Sequence, residues 1–346
     1  MGKDANLIQS HRKDEHVFIA EKLFTEESNN QLNEIKLIPS NLPELSVNDI
    51  QSSVELPDFS FKSPFYINAM TGGSERTGML NQQLAEVAAI TNTTIATGSQ
   101  SIALKDPSVA HTFKVLREKN PNGIIFSNLS ANATLDQAKK AIDMIDANAI
   151  QIHINAAQEI VMPEGEREFY WLKNIETLVN KLEVPVIVKE VGFGMSHETV
   201  RKLSDIGVRY VDISGHGGTN FAMIENERRH NKDFSFLKDW GLSTAESLID
   251  TSSFQNNLTI FASGGVRTPL DIVKCLVLGA KSVGLSGTFL HILNKQGQDA
   301  LTETIFDYQT KIKMLMTLLG VKKITDLTGV RYILSSELQN FKNQKQ

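Results

Sequence analysis

Small, amide, hydroxyl and charged residues gather at eight places in this sequence, each directly after a short apolar run. Asn68-Ala69-Met70-Thr71-Gly72-Gly73 follows the first run and Gly98-Ser99-Gln100-Ser101 the second. Ser127-Asn128 follows the third, and His153-Ile154-Asn155-Ala156-Ala157-Gln158-Glu159 the fourth. Lys189-Glu190-Val191-Gly192-Phe193-Gly194 comes fifth and Ser214-Gly215-His216-Gly217-Gly218-Thr219-Asn220 sixth. Ser263-Gly264-Gly265-Val266-Arg267 and Ser286-Gly287-Thr288 complete the set. Such groups bind ligands, hold anions and move protons. Their recurrence at every run end predicts one ligand-filled site assembled from eight loops.

The runs themselves are FYINA (65–69), TTIAT (93–97), GIIFS (123–127), AIQIHI (149–154), VPVIVK (184–189), RYVDIS (209–214), LTIFAS (258–263) and KSVGLS (281–286). Each suits a buried strand. Helical patterns lie between most of them. In FYWLKNIETLVNKL, Leu172, Ile175, Leu178, Val179 and Leu182 share a face. HETVRKLSDIG ends at Gly207, and TPLDIVKCLVLGA begins with Thr268 as N-cap and Pro269 at N1. The runs start 23 to 49 residues apart, the longest gap holding the polar insertion FAMIENERRHNKDFSFLKDWG. Eight such units predict an α/β chain folded as a (β/α)8 TIM barrel, whose chemistry sits on the loops after the strands. A doubly wound sheet is the alternative, but MTGG rather than GxGxxG follows the first run. Residues 1–60 read as an N-terminal arm, with Pro39, Pro43 and Pro57 in its irregular part. Residues 61–346 read as the barrel with C-terminal helices.

In that frame the last two turns acquire a mechanism. Glycine-rich turns after strands seven and eight expose backbone N–H groups, and a helix N-terminus adds partial positive charge. With Arg267 they predict a site for a terminal phosphate; the alternative is glycines that only make left-handed turns.

Composition narrows the function classes. With Lys+Arg at 35 against Asp+Glu at 40, the formal net charge is −5, which argues against non-specific nucleic-acid binding. The single cysteine, Cys275, permits no intrachain disulfide and no Cys-based zinc site. The polar start lacks the apolar core of a secretory signal, and no run approaches the ~20 apolar residues of a membrane span. The expectation is a soluble, cytoplasmic protein without nucleic-acid or membrane partners.

MTGG, GSQ, SNL, KEVGFG, SGHGGT and ASGGVRTPLDIVKCLVLGA resemble the flavin-mononucleotide barrels. RKDEH (12–16), HINAAQE (153–159) and TNFAMIENERR followed by WGLST further resemble one family, the FMN-dependent type 2 isopentenyl-diphosphate isomerases. The resemblance runs from Arg12 to about Arg331. It implies FMN held by Met70, Thr71, Gly72, Ser99, Asn128, Lys189, Ser214, Thr219, Gly264, Gly265, Arg267, Ser286 and Gly287. It implies a prenyl diphosphate bound by Arg12, Lys13, His16, Asn155 and Gln158, Mg²⁺ on Glu159, and Gln158 and His153 near the reacting carbons. NADPH is the implied reductant of FMN, and a homotetramer the implied assembly. The arm is then expected to close over the mouth as a lid. Lys189 has an alternative reading as the ion-pair partner of Glu190, and His153 as a core histidine. Ser101 stands where some relatives carry a basic residue, which leaves open whether Ser101 or Arg228 or Arg229 of the insertion completes the anion clamp. SGHGGTN also resembles the signature of FMN-dependent 2-hydroxy-acid oxidases, with His216 as base, but Thr219 replaces their substrate-binding Arg.

Overall fold

The computed structural model describes the backbone of residues 2–344 and the side chains of residues 12–344. The first barrel strand is preceded by helix α1 (Gly2–Lys22) and strands β1 (Ile35–Leu37), β2 (Val54–Glu55) and β3 (Ser60–Phe61). Then come β4 (Phe65–Ile67), α2 (Glu75–Thr91), β5 (Ile95–Ala96), α3 (Ser101–Lys105), α4 (His111–Lys119), β6 (Ile125–Ser130), α5 (Leu135–Ile145) and β7 (Ala149–His153). The second half holds α6 (Ala156–Val161), α7 (Leu172–Lys181), β8 (Val186–Lys189), α8 (His197–Asp205), β9 (Tyr210–Asp212), α9 (Phe221–Arg228) and α10 (Thr244–Asp250). It finishes with β10 (Thr259–Ser263), α11 (Pro269–Val277), β11 (Ser282–Leu285), α12 (Gly287–Gln296), α13 (Gln298–Leu318), β12 (Tyr332–Leu334) and α14 (Ser336–Asn343).

Every one of the eight apolar runs supplies a barrel strand. β4 to β11 close into one ring of parallel strands, a (β/α)8 barrel. The helices form where sequence signals ask for them. Thr268 caps α11 with a reciprocal bond from Asp271, Pro269 opens it, and Ile272, Cys275 and Leu276 face the core. Register sets the site: Asn128 lies beside Gln151, and His153 beside Lys189. The ring order puts β7 diametrically across from β11, so the loops that follow them face each other over the mouth.

The arm begins as a helix. α1 packs against α2 and α3 on one side and α9 and α12 on the other, which carries it across the C-terminal end of the barrel. The opposite end is plugged by the β2–β3 hairpin, whose Phe59 and Phe61 pack on Phe126, Tyr210 and Phe261. β1 pairs with β12, tying the arm to the end of the chain. Among the described residues, no helix is long and apolar enough to cross a membrane.

Candidate active site

A cavity of about 660 Å³ occupies the C-terminal end of the barrel beneath α1, within the range of cofactor and small-molecule sites. Its two opposite rims are built in different ways.

The rim at β10 and β11 is made of backbone. Gly264 has φ +105°, and an added Cβ there would lie 2.0 Å from the Gly215 carbonyl oxygen. Gly265 has φ +68°, and its Cβ would lie 2.2 Å from Ser28 Oγ and 2.4 Å from the Gly217 oxygen. Three loops therefore touch here, at a separation no side chain permits. The N–H groups of Gly264 and Gly265 have no acceptor among the described residues. Ser286 caps α12 without a side-chain bond to its first turn, and Gly287 starts the helix at the cavity wall, so the helix N-terminus is open to an anion. Arg267 lies over the Phe24 ring at 4.5 Å and donates to Thr288 Oγ1 at 3.0 Å, while its buried Nε has no partner. Open N–H groups, a helix N-terminus and a cation with a spare donor fit the phosphate of FMN.

The rim at β7 is made of charged side chains. Arg12 donates to Glu164 at 3.1 Å and to Met162 Sδ at 3.4 Å, and its buried Nε lacks a partner. Lys13 beside it is half-buried; desolvation and the Arg12 charge lower its pKa to about 8. A cation in that state is stabilised by an incoming anion. His16 Nε2 donates to Glu225 Oε1 at 2.8 Å, and burial lowers the His16 pKa, keeping the ring neutral at neutral pH. Burial works against the Glu225 charge, but His16 and Arg228 hold its carboxyl down at about 2. Glu225 also accepts from Gln158 Nε2 at 3.3 Å. Asn155 Nδ2 donates to Gln158 Oε1 at 3.2 Å and to Glu159 Oε1 at 2.8 Å, leaving its own buried Oδ1 unpaired. The second Glu159 oxygen accepts the Glu166 N–H at 2.8 Å. No group of three His, Cys, Asp or Glu among the described residues could hold a metal by itself. Glu159 could offer one carboxylate to a Mg²⁺ ion that keeps waters and phosphate oxygens as its other ligands.

Between the rims stand Lys189 and His153. Lys189 is buried at the end of β8, and its Nζ donates to the Glu190 carbonyl oxygen at 2.6 Å. The Glu190 carboxylate is turned the other way, accepting N–H groups of Val191, Gly192 and Phe193 at 2.6 to 2.7 Å. Burial still raises the Glu190 pKa to about 7. Lys189 is therefore no ion-pair partner of that side chain, and its charge faces the cavity it lines. His153 is kept neutral by burial and by the charges of Lys189 and Lys13, which lower its pKa to about 3.

The cavity wall contains Arg12, Lys13, His16, Met70, Thr71, Ser99, Asn128, His153, Asn155, Gln158, Glu159, Lys189, Ser214, Thr219, Gly264, Gly265, Arg267, Ser286 and Gly287. Gly72 does not line the cavity; a Cβ built on it would lie 2.2 Å from the Phe113 ring. Arg228 pairs with Glu225 and Glu15, Arg229 with Asp233, and neither lines the cavity. Lys105 does, one helical turn after Ser101 on α3. The i,i+4 spacing from Ser101 was the signal that would have found it. Asn30 was equally hidden: buried, it donates to the Gly265 carbonyl at 2.7 Å and fixes the phosphate-side turn to the arm. His216 Nε2 donates to the Lys238 carbonyl at 3.1 Å, and no cation stands at Thr219 to anchor a carboxylate.

The FMN-dependent dehydrogenase family matches residues 109–333. An isopentenyl-diphosphate delta-isomerase of Latilactobacillus sakei is 52% identical over 98% of this chain and 97% of its own. Enzymes of the same name from Limosilactobacillus reuteri and Staphylococcus saprophyticus are 48% and 47% identical, with 97% of each chain covered. The fold is shared with the flavin-binding domain of baker's yeast flavocytochrome b2, at TM-score 0.68 and 22% identity over 94% of this chain and 86% of that one. Mandelate oxidase shares it at TM-score 0.64 and 17% identity, over 90% and 91%.

Proposed function

This chain belongs to the FMN-dependent isopentenyl-diphosphate delta-isomerase family, and we propose that it interconverts isopentenyl and dimethylallyl diphosphate by a 1,3-allylic proton shift with reduced FMN and Mg²⁺. The observation that carries this reading is one cavity with two anion-binding rims on opposite sides of the barrel. A single phosphate ligand needs one such rim. A phosphorylated cofactor and a diphosphate substrate need both.

Backbone N–H groups and Arg267 at the β10–β11 rim would hold the FMN phosphate. Arg12, Lys13 and Lys105 would hold the diphosphate, with Glu159 giving Mg²⁺ one carboxylate ligand and phosphate oxygens and waters the rest. Bound reduced FMN supplies an electron-rich ring that exchanges protons and stabilises positive charge developing on the substrate carbon; NADPH is its proposed reductant. Lys189 contributes a buried cation that stabilises negative charge on the ring. Gln158, oriented by Asn155 and Glu225, would position the carbon that loses its proton; an amide is a poor base by itself. His153, neutral at neutral pH, would serve as a fixed hydrogen-bonding group rather than as an acid. α1 would shield the cavity from water once substrate is bound.

The test is an anaerobic NMR assay of FMN-loaded protein with isopentenyl diphosphate, comparing reduced with oxidised flavin and Mg²⁺ with chelator. Dimethylallyl diphosphate is expected only with reduced flavin and metal together. Turnover with oxidised flavin, or oxidation of a 2-hydroxy acid instead, would overturn the reading.

A further inference from the structure

Below the cavity a line of buried polar side chains crosses the barrel interior, and its hydrogen bonds run in one direction. It starts at Asp212, a fully buried carboxylate that accepts four bonds. Tyr66 Oη and Asn68 Nδ2 each donate to Oδ2 at 2.9 Å; Ser263 Oγ donates to Oδ1 at 2.6 Å and the Ser214 N–H at 3.2 Å. An ionised carboxylate only accepts. Asn68 must therefore turn its Nδ2 toward Asp212 and its Oδ1 away, where the oxygen takes the Ala69 N–H at 2.8 Å and Gln151 Nε2 at 3.1 Å. Gln151 is then left with Oε1 facing Asn128, whose Nδ2 donates to it at 3.1 Å. That leaves Asn128 Oδ1 facing His153 Nδ1 at 2.9 Å.

We infer that Asp212, acting through the amides of Asn68, Gln151 and Asn128, fixes the tautomer of His153, with the proton on Nδ1 and a bare lone pair on Nε2. An oxygen can bond Nδ1 only where Nδ1 carries hydrogen. The opposite polarity would turn the Asn68 oxygen onto the Asp212 carboxylate and strip the Ala69 N–H of its acceptor, two buried losses at once. The neutral state of His153 fits this assignment, since the field of Lys189 and Lys13 opposes a second ring proton.

The assignment deepens the proposed site. A ring that presents a lone pair to the cavity pairs with a donor, such as the Lys13 ammonium, a water or an N–H of a bound cofactor. It does not bond a diphosphate oxygen. Asp212, Asn68, Gln151 and Asn128 are in this respect positioning residues, and His153 is the group they orient.

The test is ¹⁵N NMR of the full-length, FMN-bound protein labelled at its eight histidines. Long-range ¹H–¹⁵N correlation distinguishes the two tautomers, and His153→Gln identifies the signal by its loss. The wild type is expected to show a protonated Nδ1 and an unprotonated Nε2. Asp212→Asn lets the amides reverse, so the Nδ1–H pattern is expected to give way to Nε2–H or a mixture. Gln151→Met, which cuts the relay midway, is expected to do the same and stands in if Asp212→Asn does not fold. An Nε2–H ring in the wild type, or an unchanged pattern in the folded variants, overturns the inference. The readout does not depend on turnover. Failure here leaves the isomerase reading standing, and an inactive protein with an Nδ1–H ring sinks that reading alone.

Discussion

The two ends of the barrel are made by the same eight strands and finished in opposite ways. At the floor, Phe59 and Phe61 stack at 5.5 Å and fill the ring against Phe126, Tyr210 and Phe261. Asp58 there takes the Tyr210 hydroxyl at 2.5 Å and Arg209 at 3.1 Å. At the mouth, buried donors and acceptors are left open: Arg12 Nε, Asn155 Oδ1 and Arg267 Nε. A buried polar atom without a partner costs on the order of 1–3 kcal/mol, and these three belong to residues that line the cavity, where a bound ligand would supply partners. The floor contributes stability and the mouth gives some of it up for binding, the division expected of this barrel architecture.

Deleting residues 1–16 tests the comparison most severely. It removes Arg12, Lys13 and His16 along with most of α1, but leaves Arg267 and the glycine turns. FMN absorbance should stay with the protein while turnover falls on the order of 100-fold or more. Loss of flavin together with turnover would show that the two rims are not separable. At the floor, Phe61→Ala removes a ring that is 2% exposed and should cost about 3–5 kcal/mol of stability in urea unfolding, with kcat of the remaining folded enzyme unchanged. A kcat that drops with Tm would erase the distinction between the ends. Glu225→Gln is intermediate. It keeps the shape but removes the charge that faces His16, Gln158 and Arg228, so kcat should fall about 10- to 100-fold, and the melting temperature should fall as well because Arg228 loses its buried partner.

The strands were legible because burial writes itself into local sequence. VPVIVK and LTIFAS are continuous apolar runs, and a parallel strand covered on both faces needs nothing else. That Arg267 and Ser286 line the cavity was legible because the loops after the last two strands of this barrel lie at its mouth. Less could be read where function depends on the direction of a side chain. Gly72 sits in the right turn but does not line the cavity, which no spacing records. Arg228 looks free in ENERR, yet three acids from three segments, Glu15, Glu164 and Glu225, surround it. Asn30 and Asp212 were not singled out, since the partners that tie each to the site, Gly265 for Asn30 and Tyr66, Asn68 and Ser263 for Asp212, lie far along the chain.

The smallest expected effect is a pH dependence confined to the mouth. Burial and the Arg12 charge bring Lys13 down to about 8, so in the ligand-free protein it is charged below that pH and neutral above it. A bound diphosphate favours the charged form and raises this pKa. Affinity for the anion is therefore full at lower pH and lost as pH rises through the free-protein value. KM should climb toward about tenfold per pH unit above it. Lys105 is exposed on α3 and lines the cavity, so Lys105→Met should raise KM a few-fold. Lys13→Met should flatten the slope. A wild-type KM that stays level up to about pH 9 would mean that the diphosphate is held by Arg12 and Lys105 alone, and the clamp would have to be redrawn around α3.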